Sequence, residues 1–274
     1  MPVHQVSNEP AIVGVEALRG GWVLLDARPA AAYAAGHLPG ALHADPDRDL
    51  AAPAPDPARG GRHPLPDAAA FGARVAAWGI GPDTPVAIYD DQGGANAAAR
   101  AWWMLRSLGN RFAALLDGGL QGAGLPLDTE VPVPVPVAPW GEAWHLPTVG
   151  VEAVDELRRD AGWMVLDVRA AFRYRGEGEP IDPVAGHIPG ARNLPFAENL
   201  GREGRFLAPE VLRARYLELL GGLPPERLVV HCGSGVTACH TLVALERAGL
   251  PGASLYVGSW SEWCRTERPV ATGA

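Results

Sequence analysis

A chain of 274 residues, 47% of them hydrophobic, has room for two ordinary cores, and no apolar run in it reaches membrane-spanning length. Its formal charge is −8 and its 23 basic residues are all arginines, which argues against nucleic acid as a partner because phosphate binding needs a clustered basic face. Three cysteines do not make a disulfide framework, and the opening MPVHQVSNEP lacks the basic flank and apolar core of a secretory leader, so a reducing cytoplasm and no membrane partner are expected.

Along the chain, strand-like runs at Trp22–Leu25, Val86–Tyr89 and Ala113–Leu116 alternate with alanine- and leucine-rich helical stretches. Residues 51–66, AAPAPDPARGGRHPLP, read as a loop inside this first half. In TEVPVPVPVAPWGEAW (129–144) alternating prolines forbid helix and resist central-strand pairing, which predicts an extended linker across the surface. Further strand runs follow at Met164–Leu166, Leu228–Val230 and Ser254–Val257.

The second half restates the first. VLLDARPAAAYAAGHLPGA (23–41) returns as MVLDVRAAFRYRGEGEPIDPVAGHIPGA (164–191) with a nine-residue insertion, and LLDGGL (115–120) returns as LYVGSW (255–260). Asp26 and Asp167 are 141 positions apart, as are Ile88 and Val229. Two α/β domains follow, each a mostly parallel sheet flanked by helices: an N-terminal domain 1–128, a proline-rich linker 129–146 and a C-terminal domain 147–274.

In VVHCGSGVTACH (229–240) a strand runs into Cys232, then into a glycine-rich turn, then into a helix expected to start near Val236 or Thr237 and to be capped by Gly249. Such a turn points several N–H groups inward, and the helix N-terminus adds partial positive charge, so an anion is stabilised there and a thiol is activated. Gly233, Ser234, Gly235, Val236 and Thr237 form this expected cradle around a nucleophilic Cys232. Cysteine-dependent phosphatases need an arginine six residues after the nucleophile; that position is Ala238 here, which disfavours phosphate and leaves a single added sulfur as the better guest. His231 and His240 flank the loop, but N–H groups converging there repel a cation, and neither metal nor cofactor is expected.

The duplicated halves, GHLPGA and GHIPGA, DGGL and VGSW, and above all CGSGVTA resemble the two-domain rhodanese family, in its thiosulfate/3-mercaptopyruvate sulfurtransferase branches, over roughly residues 10–270. The resemblance implies tandem rhodanese-like domains, a catalytically silent first domain, and a persulfide on Cys232. That persulfide is formed from a small-molecule donor, 3-mercaptopyruvate or thiosulfate, and passed to cyanide or a thiol such as thioredoxin. It also implies that Arg173 clamps the donor's anionic group, with Arg175 as a stand-in for a second arginine whose family position falls here at Ile181 or Asp182. A histidine of the GHLPGA type, His37, acting with Ser234 and an aspartate for which Asp26 is a candidate, would handle the donor's proton. The alternative is a persulfide carrier that receives sulfur from a partner protein. His187, Trp102, Trp103, Trp260, Trp263 and Cys239 are expected to pack, and Cys264 to be exposed.

Overall fold

The computed structural model describes residues 10–18, 20–95 and 97–273. The opening segment read above for a secretory leader therefore lies, in residues 1–9, outside the described residues. Chain order in the first half is β1 (Ile12–Val13), β2 (Val23–Asp26), α1 (Ala30–Ala35), β3 (Leu42–His43), α2 (Ala68–Ala77), β4 (Val86–Tyr89), α3 (Ala98–Leu108), β5 (Ala113–Leu116) and α4 (Gly119–Ala123). The second half follows with β6 (Thr148–Val149), α5 (Val151–Leu157), β7 (Met164–Asp167), α6 (Ala171–Tyr174) and β8 (Arg192–Asn193), then α7 (Pro209–Leu220), β9 (Leu228–His231), α8 (Ala238–Arg247), β10 (Ser254–Tyr256) and α9 (Ser259–Trp263).

Both halves build a five-stranded sheet, ordered β1-β5-β4-β2-β3 and β6-β10-β9-β7-β8, in which every strand pairing is parallel. Parallel sheets need covering on both faces, which is why VAIY of β4 and LVVH of β9 are uninterrupted buried runs without alternation. The order places a topological switch between β7 and β9, since the chain leaves β7 towards β8 on one side and β9 towards β10 on the other. In such sheets the crevice for a ligand opens beyond the carboxyl ends of the strands at that point.

The proline-rich segment is extended, with Val133 and Val135 92% and 83% exposed, and it is strapped to the first half. Val137 N–H donates to Ala76 O, Trp140 Nε1 to Ile80 O, and Trp144 Nε1 to Pro66 O, while the Trp144 ring lies 6.1 Å from that of Trp103. Residues of both halves share one apolar core, in which α3 packs on α8. No helix among the described residues is long and apolar enough to cross a membrane.

The repeated sequence motifs are repeated structural devices. Arg28 forks onto Asp26 (2.6 Å) and donates to Gly36 O; Arg169 forks onto Asp167 (2.6 Å) and donates to Gly186 O. Each pair is buried at the end of its strand, so removing one partner would strand a charge at a cost of about 3–5 kcal/mol. His37 stacks on Tyr33 and His187 on Tyr174, each with Nδ1 against the tyrosine's own carbonyl.

Candidate active site

Cys232 is the first residue beyond β9, at the switch between β7 and β9, and only 3% exposed. Its N–H is taken by Ser259 Oγ (3.2 Å), while its carbonyl and that of Gly233 accept from Trp260 and Ser261 N–H at the head of α9. The loop's outer edge is thereby sewn to α9. Ser259 does this from a left-handed φ of 53°, the one non-glycine positive φ among the described residues. Gly235 is also left-handed (φ 74°), and a Cβ there would collide with Val257 O.

The N–H groups of Gly233, Ser234, Gly235, Val236 and Thr237 donate to no carbonyl or side chain among the described residues, and no side chain caps α8. The equivalent loop of the first half is different. Asp90, fully buried at the end of β4, accepts N–H bonds from Gln92 (2.9 Å), Gly94 (2.8 Å), Ala97 and Ala98 (3.2 Å each). The first domain fills its own cradle with its own carboxylate, whereas the second keeps its donors for another anion.

Two guanidinium groups stand over the loop. A Cβ built on Gly233 would lie 3.5 Å from Arg62 Nη2 and 3.6 Å from Arg173 Nη2, which is ordinary contact. Arg173 comes from α6 and pairs with Glu179 (2.5 Å); Arg62 comes from the first domain's loop and pairs with the buried Asp182. Asp182 also receives Arg265 (2.8 Å) and lies 3.8 Å from Arg173. One of the two positions, Ile181 or Asp182, at which the family resemblance places a second arginine is thus an aspartate that receives one from the other domain.

Beside Arg62, His63 holds Ser234 Oγ at 2.8 Å through Nδ1. Burial, reinforced by the charge of Arg62, pulls the His63 pKa below the usual histidine value, so at neutral pH it is an uncharged base touching the loop. The backbone secures this placement across the domain boundary: Arg62 N–H donates to Ser261 Oγ and Gly60 N–H to Glu262 Oε1.

Of the residues singled out from sequence, the structure brings together Cys232, the five cradle residues and Arg173. His37 is corrected: it is fully buried, its ring nitrogens face the carbonyls of Tyr33 (3.0 Å) and Glu130 (3.1 Å), and the histidine on Ser234 is His63. Arg175 is corrected as well, since it is exposed and closed on Glu177 (2.6 Å), outside the cluster over Gly233. Asp26 is spent on Arg28. Cys264 is buried, 7% exposed, between Trp260 and Arg265, and not at the surface; burial raises its pKa. Cys239 is fully buried and held by burial at about 12, and it donates to Gly235 O. Trp103, Trp260 and Trp263 are packed in the core.

Comparison with known proteins agrees with this layout. The rhodanese-like domain model matches residues 15–123 and again 151–266. A probable 3-mercaptopyruvate sulfurtransferase of Pseudomonas aeruginosa is 49% identical over 246 residues, 88% of this chain and 86% of that protein. A putative thiosulfate sulfurtransferase of Mycobacterium tuberculosis is 39% identical, over 92% of this chain and 89% of that protein. The structure of the 3-mercaptopyruvate sulfurtransferase from Leishmania major superposes with a TM-score of 0.80 at 31% identity, covering 96% of this chain and 75% of that one. With two matched domains, a cradle at the sheet's switch point and relatives this close over nearly its whole length, the chain belongs to the rhodanese family as a two-domain member.

Proposed function

We propose that this chain is a sulfurtransferase that accepts a sulfane sulfur on Cys232 and prefers 3-mercaptopyruvate as donor. The Cys232 thiolate attacks the donor's sulfur; the carbon–sulfur bond breaks, its electron pair stays on carbon as the enolate of pyruvate, and protonation releases pyruvate. His63, uncharged and bonded to Ser234, takes the donor's thiol proton and is placed to return it to the enolate. The persulfide's outer sulfur carries its charge among the open N–H groups of Gly233 to Thr237. Cyanide then removes that sulfur as thiocyanate, or a thiol removes it as a new persulfide, and Cys232 returns as thiolate.

The observation that carries the donor preference is the pair of guanidinium groups over Gly233. Their charges are largely answered by Glu179 and Asp182, which suits a single carboxylate better than a doubly charged thiosulfate. The first domain does not attack sulfur, because Asp90 occupies its cradle; it contributes Arg62 and His63 instead. Thioredoxin as the thiol acceptor, a cytoplasmic location and the absence of a nucleic-acid partner belong to the same reading, and the net charge of −8 supports the last of them.

The test is direct. After incubation with 3-mercaptopyruvate and desalting, mass spectrometry of the full chain finds one added sulfur on the Cys232 peptide; Cys232→Ser loses both adduct and turnover, and Cys239→Ser keeps them. In one preparation kcat/KM is higher for 3-mercaptopyruvate than for thiosulfate. Turnover by the Cys232→Ser protein would sink the mechanism, and sulfur accepted only from a protein donor would make the chain a carrier.

A further inference from the structure

Helix α9 is five residues long, yet its head is bonded to two loops that come from different domains. Towards the Cys232 loop, Trp260 N–H donates to Cys232 O (3.0 Å), Ser261 N–H donates to Gly233 O (2.8 Å), and Ser259 Oγ accepts Cys232 N–H (3.2 Å). Towards the loop of the first domain, Ser261 Oγ accepts Arg62 N–H (3.1 Å) and Glu262 Oε1 accepts Gly60 N–H (2.8 Å). Ser261 is fully buried and Glu262 nearly so, and the Ser261 hydroxyl is fixed because its own hydrogen goes to Gly258 O (2.9 Å).

Ser261 therefore stands at a junction: its N–H holds the nucleophile's loop, and its Oγ holds the residue before His63. Gly61 shows how closely the two backbones approach, since a Cβ there would collide with Gly258 O and Ser261 Oγ. The head of the helix also carries Ser259 at its left-handed φ of 53°, a conformation that persists in a side-chain-bearing residue only where the surrounding bonds over-determine it. Behind His63, Arg100 donates to His63 O (3.1 Å) and to Gly235 O (3.3 Å). The loop thus has a second tether, and the bonds to α9 set the angle at which Arg62 and His63 arrive.

We propose that Ser261 and Glu262 are positioning residues for sulfur transfer. They register the base-bearing loop of one domain against the nucleophile loop of the other, so that His63 Nδ1 meets Ser234 Oγ at 2.8 Å. Both act through His63, and the inference rests on His63 as the base. Without the Ser261 hydroxyl or the Glu262 carboxylate, Arg62 N–H or Gly60 N–H loses its acceptor and the approach of the loop is no longer fixed. A misplacement of about 1 Å in a reacting group can cost on the order of a hundredfold in rate, so small changes at α9 reach the chemistry.

The test is a double-mutant cycle on the full chain. Pyruvate release from 3-mercaptopyruvate in a single turnover is measured for wild type, Ser261→Ala, His63→Gln and the double variant. Ser261→Ala is expected to slow release about tenfold or more in the wild-type background, and less than about twofold on top of His63→Gln, because a misplaced base and an absent one are equivalent. Glu262→Ala follows the same pattern, whereas Glu262→Gln, which keeps a carbonyl for Gly60 N–H, recovers at least half of the lost rate. Equal slowing by Ser261→Ala with and without His63 would assign Ser261 to packing alone and overturn the proposal. Wild-type rates in both Ser261→Ala and Glu262→Ala would overturn it as well. If Ser261→Ala does not fold, Glu262→Ala and Glu262→Gln carry the same comparison. A His63→Gln protein that keeps the wild-type rate rejects the base assignment itself, whatever Ser261 and Glu262 do.

Discussion

Gly233 and Gly235 are two positions apart in the same loop, and the backbone constrains only one of them. Gly235 has φ 74° and its missing Cβ faces Val257 O, whereas a Cβ on Gly233 meets nothing closer than the ends of two arginine side chains. A left-handed backbone costs a side-chain-bearing residue roughly 1–2 kcal/mol, and the collision adds to it. Gly235→Ala is therefore expected to lower the thermal midpoint by at least about 3 °C and kcat/KM by at least about tenfold, because the cradle must open to fit the methyl group. Gly233→Ala should leave both within about twofold and about 1 °C of wild type. Calorimetry and steady-state kinetics on the two proteins decide the point; equal damage from both would mean that the loop is held by its contents and not by its backbone. At the same scale the matching loop of the first domain closes on its own carboxylate, Asp90, which accepts from the N–H groups of Gln92, Gly94, Ala97 and Ala98.

Among the elements, the segment between β3 and α2 contributes most beyond its own domain. It carries no regular structure over most of its length, yet it delivers Arg62 and His63 to a loop 171 positions away. The Cys232 loop was legible because its strand, turn and helix are contiguous, and the strands were legible because parallel strands buried on both faces are unbroken apolar runs. His63 was not legible, since no local periodicity reports a contact between domains. Two signals pointed to it: residues 44–67 are longer than their counterpart 194–208, and GGRHPLP sets a charged residue and a histidine after two glycines. His37 misled for the opposite reason. A histidine present in both halves serves what the halves share, and that is the stack on tyrosine. Arg62→Ala should raise KM for 3-mercaptopyruvate about tenfold or more with a smaller change in kcat, as expected for loss of one charge-assisted contact, and Arg62→Lys should restore part of it. An unchanged KM in Arg62→Ala would assign the donor's carboxylate to Arg173 alone.

For the molecule as a whole, folding buries histidines as well as apolar surface. His231 is fully buried next to Asp167, and His240 is fully buried on α8, stacked at 4.4 Å on Phe206 of the second domain, with a Cβ at Gly94 of the first lying 3.8 Å from its ring. Burial lowers both pKa values, that of His240 to about 3. A histidine whose folded pKa lies below its unfolded value of about 6.5 binds fewer protons when folded. It therefore costs no stability above pH 6.5 and destabilises progressively as pH falls from there towards the folded pKa, by up to about 1.4 kcal/mol per unit. Between pH 6.5 and 4 His240 alone should remove about 3 kcal/mol, and because it lies where the halves meet, the loss should appear as undocking and unfolding together. Urea unfolding of wild type and of His240→Gln at both pH values measures it. The variant is expected to start less stable at pH 6.5, for want of the aromatic stack, but to lose about 3 kcal/mol less than wild type on acidification. Parallel losses in the two proteins would show that the acid sensitivity resides elsewhere, in the carboxylates of the arginine cluster.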